Sequence, residues 1–366
     1  MYTWKSIQLQ ILCDVIGMAK ERQSNIELLR ILAMLAIVFG HFASHGNWSE
    51  STQAETILLN AIAMGGPLAV DVFVLITGYF TAKASFRAKS LFKVVLPTLF
   101  WCLTLGLLFL FLFRGQYSPL LIIQVPWFVV AFVLMFLFIP WMNYIAQNMS
   151  RRSYTILLVL GFLLLSLASS LSGSSFINST VFWFLYLYMV GGFVGIHGVQ
   201  VKTSHLVVAL VLIVVAHTAA VTLPLIDNVE PGVIIVNGVW TSRNSVTVFL
   251  MALVLLVLFT RADIGVHPLL NRIASASFGV YLISDNPFVR AWLWGHFSCL
   301  AGSGFICLIG GGALAALCIY VVCTVLELSR AEISRRVATI LPGFGLARIC
   351  FFIDRHYANV GGGNDA

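Results

Sequence analysis

Residues 24–45 read Ser24-Asn-Ile-Glu27-Leu-Leu-Arg30-Ile-Leu-Ala-Met-Leu-Ala-Ile-Val-Phe-Gly40-His41-Phe-Ala-Ser-His45. Ser24 precedes Glu27 by three residues, the spacing of a capping box at a helix start. The apolar run behind it is long enough to cross a bilayer. Within that run stand an arginine, Arg30, and a histidine, His41, 11 positions apart. At about 100° per residue this interval is close to three whole turns, so both side chains share a face, separated by about 16 Å along the axis. Ionisable side chains at membrane depth are unfavourable unless they serve a purpose, which makes both candidate functional groups. Arg30 could instead snorkel to lipid phosphate, and His41 could be an interfacial polar residue.

The rest of the chain repeats the apolar theme. Of 366 residues, 60% are hydrophobic and 10% charged, with a mean hydropathy of +0.98. A soluble domain is nearer half apolar and a quarter charged. The expected fold is therefore an all-α polytopic membrane protein, and disorder and a secreted disulfide scaffold are excluded. About ten spans are expected, at 26–44, 57–80, 91–113, 126–146, 154–171, 180–197, 205–223, 245–260, 277–297 and 303–326. Residues 1–23 form an N-terminal extension, interfacial or mis-started. They are followed by one membrane domain over 24–327 and a basic cytoplasmic tail over 328–366. The seven cysteines form no CxxC pair and read as small apolar packers.

Charge predicts orientation. With the N-terminus in the cytoplasm, 18 of the 21 Lys and Arg fall on that side. They are Lys5, Lys20, Arg22 and Arg30; Lys83, Arg87, Lys89 and Lys93; Arg151 and Arg152; Lys202; Arg261 and Arg272; and Arg330, Arg335, Arg336, Arg348 and Arg355. Only Arg114, Arg243 and Arg290 fall toward the outer face. Lys and Arg collect in cytoplasmic loops, so both termini are expected inside. The net charge of +7 is then topogenic and does not call for a nucleic-acid partner. Arg30 takes the cytoplasmic end of the first span and His41 the outer end. His45, one turn on, makes a two-histidine metal site conceivable, but no acidic or third ligand is evident nearby, and no metal is expected.

Other spans also carry polar atoms. The second contains Val70-Asp71-Val-Phe-Val-Leu-Ile-Thr77-Gly78-Tyr79-Phe80, the fourth opens Val125-Pro126-Trp127-Phe128, and Arg243-Asn244-Ser245 precedes the eighth. The ninth reads Ser277-Phe-Gly279-Val-Tyr281-Leu-Ile-Ser284-Asp285-Asn286-Pro287-Phe-Val-Arg290-Ala-Trp292-Leu-Trp294. Asp71 could orient His41 or pair with Arg30. Asp285 and Arg290, five apart and about 140° around a continuous helix, are not expected to pair. Trp127, Trp141, Trp292 and Trp294 suit interfacial belts, Thr77-Gly78-Tyr79 suits close helix packing, and His217 suits a hydrogen-bonded interior position.

In this order, these motifs resemble the acyltransferase-3 family of integral-membrane O-acyltransferases. The Arg, ten residues, His pattern of Arg30 and His41 is the family's most characteristic mark, and the Asp71–Phe80 segment is similar to its Val-Asp-x-Phe motif, with Thr77 in place of serine. Ser284 departs from the histidine that relatives often carry there. The resemblance implies transfer of an acyl group, usually acetyl, from acyl-CoA (acetyl-CoA) on the cytoplasmic side to a hydroxyl of a cell-surface or exported glycan or similar acceptor. It also implies a place in the cell membrane, in contact with the bilayer and with room for association with polysaccharide-synthesis machinery. His41 would be the base or the acyl carrier, with Arg30 and Asp71 as its catalytic companions. Arg30, Lys93 and Arg87 would meet the donor's phosphates. Asp285, Arg290, Trp127 and Asn286 would meet the acceptor. The competing class is a secondary transporter of small polar molecules, against which the lack of paired inverted repeats counts. A catalytically silent relative is a third reading, because of Ser284.

Overall fold

The computed structural model describes residues 23–84, 86–113, 123–172, 179–228, 233–234 and 240–340. The expected extension over 1–23, apart from Gln23, the tail beyond Ile340 and Arg114 lie outside the described residues. Among those described there are helices and connections and no strand.

In chain order the helices are α1 (Ser24–His45), α2 (Gln53–Ala63), α3 (Gly65–Thr81), α4 (Ala88–Leu112), α5 (Trp127–Asn148), α6 (Arg151–Phe162), α7 (Ala168–Ser172), α8 (Thr180–His197), α9 (Thr203–Asn228) and α10 (Val246–Arg261). Then come α11 (Pro268–Ala274), α12 (Ser277–Ser284), α13 (Pro287–Leu293) and α14 (Phe305–Ile340). A π-helical turn, Leu163–Leu167, joins α6 to α7, and a 3₁₀ segment, Trp294–Leu300, follows α13. Eight helical stretches among the described residues are long and apolar enough to cross a membrane, α2 with α3 counting as one and α6 with α7 as another. The chain is an all-α, multi-pass membrane protein.

Two of the ten expected spans depart from simple crossings. The eighth is α10, at 16 residues about 24 Å long against a hydrocarbon core of about 30 Å. The ninth breaks into α12, α13 and the 3₁₀ segment. Pro287 lacks an N–H and cannot continue α12. The Asn286 side chain accepts from the Phe288 N–H at 3.1 Å and starts a new helix there.

The interior is built around α1, α3 and α8. Gly78 and Gly191 are where α3 and α8 meet backbone to backbone: a Cβ on Gly78 would lie 2.1 Å from the Tyr188 carbonyl oxygen, and one on Gly191 would lie 2.1 Å from that of Leu75. Only glycine fits such a crossing, as the Thr77-Gly78-Tyr79 reading expects. By contrast α4, α6, α9 and α14 present rows of exposed apolar side chains, among them Leu107, Phe111, Leu160, Leu212 and Val322. In a bilayer these rows face acyl chains, where exposure of apolar area carries no penalty.

The start of α1 differs from the expected capping box. Gln23 occupies the cap position without a side-chain bond. Ser24 instead donates to Asn271 Oδ1 at 2.9 Å and accepts from the His267 N–H at 2.9 Å, while Glu27 turns to Arg30 at 3.5 Å. A tertiary tie to α11 has taken the hydroxyl that a local cap would use. A working capping box does form at α2, between Thr52 and Glu55. Glu55 also accepts from the N–H groups of Gly302 and Gly304 and pins the turn before α14.

Candidate active site

At its far end α1 delivers His41 to the break between α12 and α13. His41 Nε2 lies 3.7 Å from Asp285 Oδ1, and the carboxylate is almost wholly buried. Arg290 Nη1 donates to the same oxygen at 3.2 Å. This contact overturns the expectation that Asp285 and Arg290 do not pair. The 140° argument assumed one continuous helix, and Pro287 ends that continuity. Asp285 has left ideal helix geometry (φ −98°, ψ 5°), and α13 brings Arg290 back over it.

The other ring nitrogen of His41, Nδ1, is buried and has no hydrogen-bond partner. Buried polar atoms are nearly always paired, so an unpaired imidazole nitrogen beside a carboxylate marks a place where a ligand proton can be accepted. His45, exposed at the helix end, holds its ring 5.3 Å from that of His41, tilted by 45°. Potential ligand atoms of His41, His45 and Asp285 all lie within 4.8 Å of one another. The sequence argument against a metal, that no acidic group lies near the two histidines, therefore fails: Asp285 arrives from 240 positions along the chain. Arg290 nevertheless places a positive charge on the same carboxylate oxygen, which opposes a second cation there.

Asp71 does not do what was expected of it. Its partner is neither His41 nor Arg30: Trp183 Nε1 donates to Oδ1 at 3.0 Å, and Oδ2 is buried without a hydrogen bond. The reason lies in the α3–α8 packing, which sets Asp71 against the start of α8 and not against α1. Arg243 stands within electrostatic reach of Asp71. It donates to Thr180 Oγ1 at 3.1 Å and lies 4.2 Å over the Trp127 ring, a close cation–π contact. Its position is set by the π-turn, where the Leu165 carbonyl accepts from the Asn244 amide. The charge pattern of the sequence puts Arg243 toward the outer face. Trp127 thus serves as a platform for an arginine, with 45% of its surface exposed.

Tyr281, which sequence reading passed over, sits one turn before Asp285 on α12. It is 5% exposed, its ring meets Phe128 edge-on at 5.5 Å, and its hydroxyl has Asp285 and the Phe128 backbone as polar neighbours. The signal available in the sequence was its i, i+4 spacing to Asp285.

The remaining candidates are dispersed. Arg30 is at the opposite end of α1, paired with Glu27 and 5.7 Å from the Phe80 ring centroid. Arg87 and Lys93 are exposed, at the start of α4 and on its first turns. Asn286 is buried as the cap of α13. Trp294, expected in an interfacial belt, is fully buried and packs edge-on to Phe42. His217 meets Thr247 at 2.6 Å, as an interior histidine should. A cleft of about 320 Å³ opens near the Arg30 end, lined by Tyr79, Gly195, Thr260 and Arg261 among others.

Comparison with known proteins gives one match. A family model described as an acyltransferase domain matches residues 23–326, from the start of α1 into α14. No curated protein and no solved structure matches the chain.

Proposed function

Because the chain belongs to the acyltransferase-3 family and is a membrane acyltransferase, we propose that it moves an acetyl group from acetyl-CoA to a hydroxyl of a cell-surface or exported polysaccharide. The observation that carries this reading is the buried Asp285–His41 pair, 3.7 Å apart, with the second imidazole nitrogen unpartnered. Acyl transfer from a thioester to an alcohol needs a base for the hydroxyl proton, and histidine is the side chain suited to that near neutral pH.

In this mechanism Asp285 holds His41 through Nε2–H and leaves the Nδ1 lone pair for the acceptor. A distance of 3.7 Å is an ion-pair separation, longer than a hydrogen bond, and such contacts tighten when substrate binds. Nδ1 takes the hydroxyl proton as the acceptor oxygen bonds to the thioester carbon. The carbonyl π pair moves onto its oxygen. When that oxyanion collapses, the C–S bond breaks and His41 returns the proton to the departing thiolate, leaving an ester and free CoA thiol. Arg290 fixes the carboxylate. With the N-terminus inside, Arg30 lies on the donor side and His41 about 16 Å away toward the acceptor side. The donor's pantetheine arm would span that interval, with Arg30, Arg87 and Lys93 toward its phosphates. A place in the cell membrane, beside the polysaccharide-synthesis machinery, fits this reading.

The test is His41→Ala in the native membrane. Acetyl on surface polysaccharide, read by mass spectrometry, is expected to vanish while the protein level in the membrane persists; full acetylation in that variant overturns the reading. The clustering of His41, His45 and Asp285 within 4.8 Å favours a second use of the same groups, a bound divalent ion. Chelator treatment separates the two. An imidazole–carboxylate pair keeps its rate, whereas a metal site loses it and recovers on adding zinc.

A further inference from the structure

We infer that Arg243, seated on Trp127, is a binding subsite for an acidic sugar of the acceptor, holding a uronic-acid carboxylate near the sugar that is acetylated. The inference deepens the reading just proposed and rests on it. His41 and Asp285 handle one hydroxyl, and a glycan offers many. Selecting one of them takes a contact to a neighbouring part of the chain that fixes its register.

Arg243 has donors to spare. A guanidinium carries five N–H groups in a planar fork. Among the described residues, its one hydrogen bond runs from Nη2 to Thr180 Oγ1, at 3.1 Å. Asp71 is within electrostatic reach but forms no salt bridge with it, so that carboxylate does not occupy the fork. The guanidinium is nevertheless held in place. It lies 4.2 Å over the Trp127 ring, the Asn244 amide is bonded to the Leu165 carbonyl, and Ser245 caps α10 through the Val248 N–H. A cation anchored in this way is pre-organised, unlike one that snorkels to headgroups on a free stem. The place is also right. Phe128, next to Trp127, meets the Tyr281 ring; Tyr281 is one turn from Asp285 and within electrostatic reach of Arg243. The fork matches the two oxygens of a carboxylate, and the exposed part of the indole offers an apolar face to sugar C–H groups.

The experiment uses the full chain in phosphatidylcholine nanodiscs and measures binding of glucuronate, with glucose as the neutral control, by saturation-transfer NMR. Glucuronate is expected to bind at least about tenfold more tightly than glucose, and Arg243→Gln to weaken it about tenfold, as loss of a charge-assisted pair does. Arg243→Lys keeps the charge without the fork and should fall between the two; it decides the matter if the glutamine variant does not fold. Equal binding of the two sugars, no binding of either, or a lysine variant equal to the parent overturns the inference. So does phosphatidylglycerol that is retained by the parent in native mass spectrometry and lost in Arg243→Gln while glucuronate stays unbound, which assigns Arg243 to lipid phosphate. Glucuronate binding involves no acyl transfer, so the two readings fail separately. If His41→Ala abolishes acetylation and glucuronate ignores Arg243, this inference alone falls; if glucuronate depends on Arg243 and His41→Ala still acetylates, the transfer reading alone falls.

Discussion

Two aspartates, Asp71 and Asp285, lie almost completely buried, at 0% and 3% exposure, and each has an arginine in its neighbourhood. Their surroundings nevertheless assign them different work. Asp285 sits at a break between two short helices, touching a histidine and an arginine. Asp71 sits inside a continuous helix and takes one indole N–H, with Arg243 near but turned to Thr180 and Trp127. Burial alone therefore does not mark a carboxylate as chemical. A break in secondary structure does more, because it frees backbone direction and lets charged side chains from both sides converge.

The largest expected effect that tests this comparison is Asp285→Asn. The variant keeps the size of the side chain and removes the charge facing His41. Transfer is expected to fall about 10²–10⁴-fold, in line with disabling a general base, at unchanged membrane abundance. A matching loss in Asp71→Asn would abolish the distinction between the two residues. For Asp71 the sharper variant is Trp183→Phe, which strips the carboxylate of its indole donor. Leaving a buried acceptor unsatisfied costs about 1–3 kcal/mol, read as a lower melting temperature in detergent. Asp71→Leu added to Trp183→Phe should recover part of that loss, since removing both polar partners is cheaper than removing one. If the double variant is the less stable, Asp71 has a partner other than the indole.

The same comparison explains what was legible in the sequence. Length and hydropathy placed the helices, because twenty apolar residues in a row have few alternatives in lipid. They also found His41, because an ionisable group inside such a run stands out. Pairing was harder to read. The partner of His41 lies 244 residues away, and the Asp285–Arg290 contact depends on Pro287 ending a helix that periodicity alone would continue. The Asn286-Pro287 pair did carry that signal. Asp71 looked like a candidate for His41 because both are polar groups in neighbouring spans. Which face of α3 meets α8 is decided by Gly78 and Gly191, and a helix-wheel argument for α1 holds no information about that. The Ser24–Glu27 spacing shows the same limit: a local motif was present, and a tertiary partner, Asn271, took the hydroxyl.

The smallest expected effect concerns the break itself. Asn286 caps α13 through Phe288, and α13 carries Arg290 to Asp285. Asn286→Ala removes an N-cap, which typically costs about 1 kcal/mol, while Asn286→Ser retains a capping oxygen and should lose less. If the cap only stabilises a short helix, both variants shift the melting temperature and leave the transfer rate unchanged. If it also sets the angle at which Arg290 meets Asp285, Asn286→Ala lowers the rate a few-fold and the serine variant restores it. We expect the second outcome. Seven residues are too few for α13 to hold its direction by helix propensity, and Arg290, at 35% side-chain exposure, has little packing to hold it in place once the cap is gone.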